Sequence, residues 1–351
     1  MIGLGFLHNW QQMTALRLLL DLFEGCFFPG IILLLSTWYV RFKLQKRYAR
    51  YYIIGMVASA FSGILAFGLT QMQGVGGLEG WRWIFIIEGI LTCIVGGLCY
   101  AFLLDFPDHA YKSNSQLSSL SRAECLFMIQ RVQQDRGDQD MEAFSWSKFL
   151  SPSLDPKMWA FAMTFLANTA TRWRISCRSY NTRAWDSVSV HRSASLRHPG
   201  VVMFVESWIG DRYRMRGIFI VVNSRVAICG LALMGWGPSA AVRYVGCILV
   251  TAGGNSSLPS MLTYQANNIR GQWSRAFSSA TIVGSGGIVG GIMFRTQDAP
   301  RYLPGIWTSI GLMLAVIVLV VGLSAHFHLQ NIKADRQEVI LEGHEEFRYT
   351  L

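Results

Sequence analysis

Long apolar runs alternate with short basic connections along most of the chain. A helix of about 20 mostly apolar residues crosses a bilayer. Runs of that kind occupy Ala15–Val40, Tyr51–Thr70, Trp83–Leu104, Ile218–Trp236, Tyr244–Leu262, Phe277–Phe294 and Ile306–Phe327. Met158–Ala170 and Val201–Ile209 are apolar but too short to span alone. The pattern predicts an all-α polytopic membrane protein with seven full spans and two stubs.

The connections carry an orientation signal, because Lys and Arg accumulate in short cytoplasmic loops. Arg41–Arg50, Asp211–Gly217, Thr263–Arg275 and Asn331–Leu351 hold thirteen Lys and Arg, whereas the interleaved Gln71–Arg82, Gly237–Arg243 and Arg295–Pro304 hold four. The first set is expected in the cytosol, together with the C-terminus of a multi-pass protein, with the plasma membrane as its expected location. The polar stretch Pro107–Lys157 has six basic and seven acidic residues and reads as a cytosolic linker. The expected organisation is a remnant of an N-terminal helical bundle over 1–105, a linker over 106–157, a C-terminal bundle over 158–329 and a cytosolic tail over 330–351.

Composition sharpens this picture. With 52% hydrophobic and 15% charged residues, the chain is neither disordered nor an ordinary soluble enzyme. The net charge of +10 would suit a nucleic-acid binder, but the basic residues are dispersed among membrane loops, so no nucleic-acid partner is expected. Half of the excess comes from Thr171–Gly200, with six Arg against one Asp. No spanning helix is expected to hold that segment in lipid. Seven cysteines without a C-x-x-C pair read as small apolar residues. Met1–Leu7 lacks the basic leader and cleavage site of a signal peptide.

Ionisable and polar groups inside apolar spans are the candidates for chemistry, since each is costly at the bilayer centre unless paired or facing a polar cavity. Arg17, Asp21 and Glu24 fall at i, i+4 and i+7 and share one helix face. They form either a substrate and proton path, with Arg17 on an anion and Glu24 relaying protons, or a self-neutralised structural cluster. Glu88 is a further candidate for the path, against a helix-to-helix hydrogen bond. Asn255, in Asn255-Ser256-Ser257, reads as a polar notch lining a pore, with Gln265, Asn267 and Asn268 beyond it. The Gly284–Gly291 run lacks the spacing of a dinucleotide site and reads as a helix-packing surface. No metal-ligand set or catalytic constellation stands out, so neither an enzyme nor a bound cofactor is expected.

Several segments carry a family resemblance: Leu16–Gly30, Gly80-Trp-Arg-Trp-Ile-Phe-Ile-Ile-Glu-Gly89, Gly210-Asp-Arg-Tyr-Arg-Met-Arg-Gly217, Tyr264–Trp273 and Phe347-Arg-Tyr-Thr-Leu351. Together they resemble the fungal allantoate permease family, anion:cation symporters of the major facilitator superfamily. The resemblance implies two bundles of six helices, alternating access, and uptake of small organic anions such as allantoate or nicotinate driven by the proton gradient. It also implies that Arg17 and Glu24 are the charged pair of the fourth helix, and that Asp211 and Arg212 form a conformational latch between helices eight and nine. Aligned this way, the chain is expected to be a partial major facilitator fold lacking about the first three helices. Thr171–Gly200 is expected to be a frameshift that disrupts helix seven. Transport by this chain is therefore expected to be impaired. The alternative is a non-transporting fragment or a partner of another permease.

Overall fold

A computed structural model describes residues 1–7, 9–107, 121–136, 145–178, 202–213, 216–271, 273–281, 302–342 and 347–351. The described residues are overwhelmingly helical. In chain order the α-helices are α1 (Trp10–Trp38), α2 (Leu44–Thr70), α3 (Gly80–Phe102), α4 (Arg122–Arg136), α5 (Trp146–Leu150), α6 (Pro156–Arg178), α7 (202–213), α8 (Gly217–Trp236), α9 (Ala240–Asn268), α10 (273–281) and α11 (Leu303–Asp335). Five of them, α1, α2, α3, α8 and α11, are long and apolar enough to cross a membrane.

Two expected spans differ. Tyr244–Leu262 lies within α9, which has the length of a span but is interrupted by Thr251, Asn255, Ser256, Ser257 and Ser260, all buried. Its polar content keeps it out of the apolar set, because its side chains face protein rather than lipid. Phe277–Phe294 is helical over its described residues, and its remainder lies outside them. The helix over the Met158–Ala170 stub continues through Arg178, eight residues into the Arg-rich segment that was not expected to extend it. The rest of Thr171–Gly200, and with it most of the frameshift expectation, lies outside the described residues.

The chain divides into two compact units, one formed by Met1–Trp38 and Val57–Gln134, the other by Tyr39–Met56 and Asp135–Leu351. In unit 1, the short 3-10 turn Ile2–Phe6 lies directly on α3. A Cβ at Gly89 would meet Ile2 at 2.5 Å, so this approach needs glycine. Trp38 Nε1 donates to the carbonyl of Asp105 at 3.2 Å.

Unit 2 is a helical bundle. Its tightest crossing is α8 against α9, where a Cβ on Gly230 would lie 2.7 Å from the Gly246 carbonyl and one on Gly246 would lie 2.7 Å from the Gly230 carbonyl. Gly253 approaches the Asn223 carbonyl in the same manner. Small residues let spanning helices approach closely and replace the hydrophobic driving force that lipid does not supply. The core joins α6, α8, α9 and α11 through Phe161, Ile220, Tyr264, Val316, Val320 and Phe327. The first turns of α2 also belong here, with Leu44, Gln45, Tyr48 and Ala49 all buried.

Candidate functional site: a buried ion pair at one end of unit 2

Asp211, in the last turn of α7, and Arg216, at the start of α8, are both buried. Arg216 is fully buried at the N-cap of α8, and its Nη2 lies 3.4 Å from Asp211 Oδ1. Arg216 Nη1 also donates to Gln45 Oε1 at 2.8 Å, and Gln45 Nε2 donates to Ser260 Oγ at 2.7 Å. The other carboxylate oxygen of Asp211 accepts from the backbone N–H of Lys46 at 3.2 Å. That N–H belongs to the first turn of α2, where amides lack helical acceptors and the helix dipole favours a negative charge. Phe42 faces the guanidinium, its ring centre 5.9 Å away. One network thus joins the start of α2, the α7–α8 connection and the middle of α9.

Electrostatics do not hold this pair cheaply. Burial pushes the Asp211 carboxyl above its ordinary value, although Arg216 and Lys46 pull the other way. Burial likewise lowers Arg216 to about 10 against the pull of Asp211. In both partners desolvation outweighs attraction, as is common for buried ion pairs.

The residues singled out in the sequence fall in three places. Asp211 is in the network, but Arg212 is exposed and outside it; Arg216 holds the position at the carboxylate. Arg17 and Asp21 form an exposed ion pair of 3.8 Å on α1, with Glu24 exposed one turn further along. Glu88 is half-buried on α3. Asn255 is buried in α9, near the point where Asn168 Nδ2 donates to the Gly254 carbonyl at 3.1 Å. Unit 1 holds Arg17, Glu24 and Glu88, and unit 2 holds Asn255 and the ion-pair network. Of the polar residues beyond Asn255, Gln265 donates to Ser278 Oγ and Asn268 binds the end of the chain.

Sequence reasoning missed three residues. Gln45 looked like an ordinary polar residue in a basic loop. Arg216 was passed over for Arg212, its neighbour in the same motif. Glu206 lay in a run dismissed as too short, yet its carboxylate accepts from Asn223 Nδ2 at 2.7 Å across α7 and α8. A carboxylate inside an apolar run was the available signal. An apolar cavity among α6, α8, α9 and α11 is lined by Phe161, Phe165, Met261 and Val320. Among its described lining residues Thr164 and Tyr264 carry hydroxyl groups, the latter bonded to Ser324 at 2.9 Å, and none carries a charge. Among the described residues no group of three or more His, Cys, Asp or Glu could hold a metal ion.

Spanning helices packed through small residues, with a buried ion pair between α7 and α8, define a polytopic helical membrane protein. Residues 1–293 match the family model described as Major Facilitator Superfamily, and the chain belongs to that family. It is 28% identical to the MFS transporter prlL of a fungal species over 99% of this chain and 71% of that protein. It is also 28% identical to an uncharacterized transporter of Schizosaccharomyces pombe over 97% of this chain and 68% of that one. A solved bacterial homologue of the iron transporter ferroportin, in an outward-facing state, is similar at 14% identity. Its TM-score is 0.44, over 92% of this chain and 93% of that chain. The chain is thus a membrane transporter by family and not an enzyme.

Proposed function

We propose that the chain derives from a proton-coupled symporter of small organic anions, of the allantoate permease type. The observation that carries this reading is the face of α1: Arg17, Asp21 and Glu24 project from an otherwise apolar spanning helix, and Arg17 and Asp21 only partly neutralise one another. Charges in such a position mark substrate and ion pathways by default. Arg17 supplies the positive charge an organic anion needs, and Glu24 supplies the carboxyl that carries a proton. Glu88 and Asn255 are the further polar groups of the path.

Asp211 acts as the conformational latch, on the cytoplasmic side of the membrane, with Arg216 in the part expected of Arg212. A pair whose desolvation outweighs its attraction contributes little as a permanent brace and suits a contact that forms in one state and breaks in another. We further infer that transport by this chain is impaired, because α6 carries Arg172, Arg174 and Arg178 along what would be its membrane length. Uptake of labelled allantoate and nicotinate into vesicles, with and without a protonophore, tests both parts. Slow protonophore-sensitive uptake that Arg17→Ala abolishes is expected. Uptake that is vigorous, or indifferent to the proton gradient, contradicts the reading.

A further inference from the structure

The last residues of the chain fold back onto the same end of unit 2. Two asparagines receive them as a strand edge would. Asn331 Nδ2 donates to the Tyr349 carbonyl at 2.9 Å and its Oδ1 accepts from the Tyr349 N–H at 2.9 Å. Asn268 does the same for Thr350, at 3.0 and 2.7 Å. The Tyr349 ring stacks on Phe327, centroids 4.4 Å apart and planes 17° off parallel, and Phe347 meets Tyr349 edge-on. The Tyr349 hydroxyl donates to Glu342 Oε1 at 2.7 Å, and the same oxygen pairs with Lys157 Nζ at 2.5 Å. Arg270 Nη1 donates to the Glu342 carbonyl at 2.7 Å. Glu342 itself has φ of 49°, a left-handed conformation that a non-glycine residue keeps only when its surroundings fix it.

The strand-like docking ends on the latch. The backbone N–H of Arg216 donates to the Leu351 carbonyl at 2.8 Å, while the side chain of Arg216 holds Asp211 and Gln45. An N-cap N–H has no acceptor within its own helix, so the tail supplies one. At the next residue, Gly217, a Cβ would meet Ser324 Oγ of α11 at 2.8 Å and make only ordinary contact with Leu351 at 3.8 Å.

We propose that Phe347–Leu351 is a strap that fixes the backbone of Arg216, so that undocking of the tail and opening of the Asp211–Arg216 network are one coupled event. The strap also ties the starts of α6 and α8 to the ends of α9 and α11, through Lys157, Arg216, Asn268 and Asn331. Any agent that releases the tail thereby loosens the grip of Asp211 on the first turn of α2. The proposal rests on the latch reading of Asp211, and its test separates the two.

Amide hydrogen exchange on the full chain in lipid nanodiscs reads both ends at once, because Thr350 N–H reports the strap and Lys46 N–H reports the latch. Asn268→Ala removes three hydrogen bonds to the tail, two of them to its main chain, and lies outside the ion-pair network. It should accelerate Thr350 exchange, and Lys46 exchange with it, by about tenfold or more, since the two lost main-chain bonds, at ordinary strength, correspond to that factor or above. Thr350→Pro removes two tail donors, the N–H and the hydroxyl, without altering a helix residue, and should accelerate Lys46 in the same direction, which covers an Asn268 variant that fails to fold. Faster exchange in the tail with Lys46 unchanged overturns the strap. Asp211→Ala is the separate check on the latch: if it leaves Lys46 unchanged, the latch reading fails whatever the tail does.

Discussion

Helices α1 and α8 are both apolar enough to span a membrane, yet they are used differently. Among the described side chains α1 buries only Ile32 and Ser36, whereas the shorter α8 buries Gly217, Ile220, Asn223, Ser224, Ala227, Gly230 and Leu231. What α8 buries is largely small or polar. Several polar groups of unit 2 are matched to partners, Asn223 to Glu206, Asn268 to Thr350 and Arg216 to Asp211. The charges of α1 in unit 1 stay exposed. Hydropathy therefore identifies which helices tolerate lipid, and the small and polar residues within a helix decide whether it is packed against protein.

The comparison breaks most readily at the ion pair. Arg216→Ala leaves Asp211 buried without its partner and should destabilise unit 2 by about 3–5 kcal/mol. Arg17→Ala removes half of an exposed pair and should cost no more than about 1 kcal/mol. Reversible unfolding in mixed micelles measures both, and equal effects would erase the distinction. Next in size, Gly246→Leu drives a side chain into the Gly230 carbonyl and should cost about 1–3 kcal/mol or more. Gly97→Leu on α3 meets nothing within 4 Å and should stay within about 0.5 kcal/mol.

Smaller effects sharpen the contrast. Asn331→Ala strands the main-chain groups of Tyr349 and should cost about 1–3 kcal/mol, against about 0.5–1.5 for Trp38→Phe, which removes one exposed hydrogen bond to Asp105. The smallest is a pH dependence. Burial raises the Asp211 carboxyl, so between the ordinary carboxylate range and the raised value the closed network binds more protons than an open one. Closure is then favoured as pH falls and is weakened as pH rises through that window. Lys46 exchange, corrected for its intrinsic pH dependence, should therefore quicken relative to an unfolded reference as pH rises. The opposite slope would mean that Asp211 is held mainly by its partners.

Much of this was legible in the sequence. Runs around Ala15–Val40, Trp83–Leu104, Ile218–Trp236 and Ile306–Phe327 became spanning helices because uninterrupted apolar residues leave a lipid-facing chain no other way to pair its backbone. Asp211 stood out by its motif. The choice of Arg216 over Arg212 did not, since burial falls on the cap of α8 and not on the exposed face of α7, and the two arginines have the same charge. Gln45 was invisible because its partners are 171 and 215 residues away. The strap was equally hidden: Asn268 and Thr350 are separated by 82 residues, and nothing local in either marks the other. The Asn255 region was recognised as polar, but only packing reveals that it lies buried in α9.

The central claim is that the first turn of α2 is held to unit 2 by the buried Asp211–Arg216 network. Exchange of the Lys46 amide measures it directly, in the unaltered chain and in Asp211→Ala, which removes the acceptor of that amide. Slow exchange that quickens about tenfold or more in the variant is the predicted result, as expected when a charged acceptor is lost. Exchange that is already fast, or unchanged by the substitution, would contradict the account.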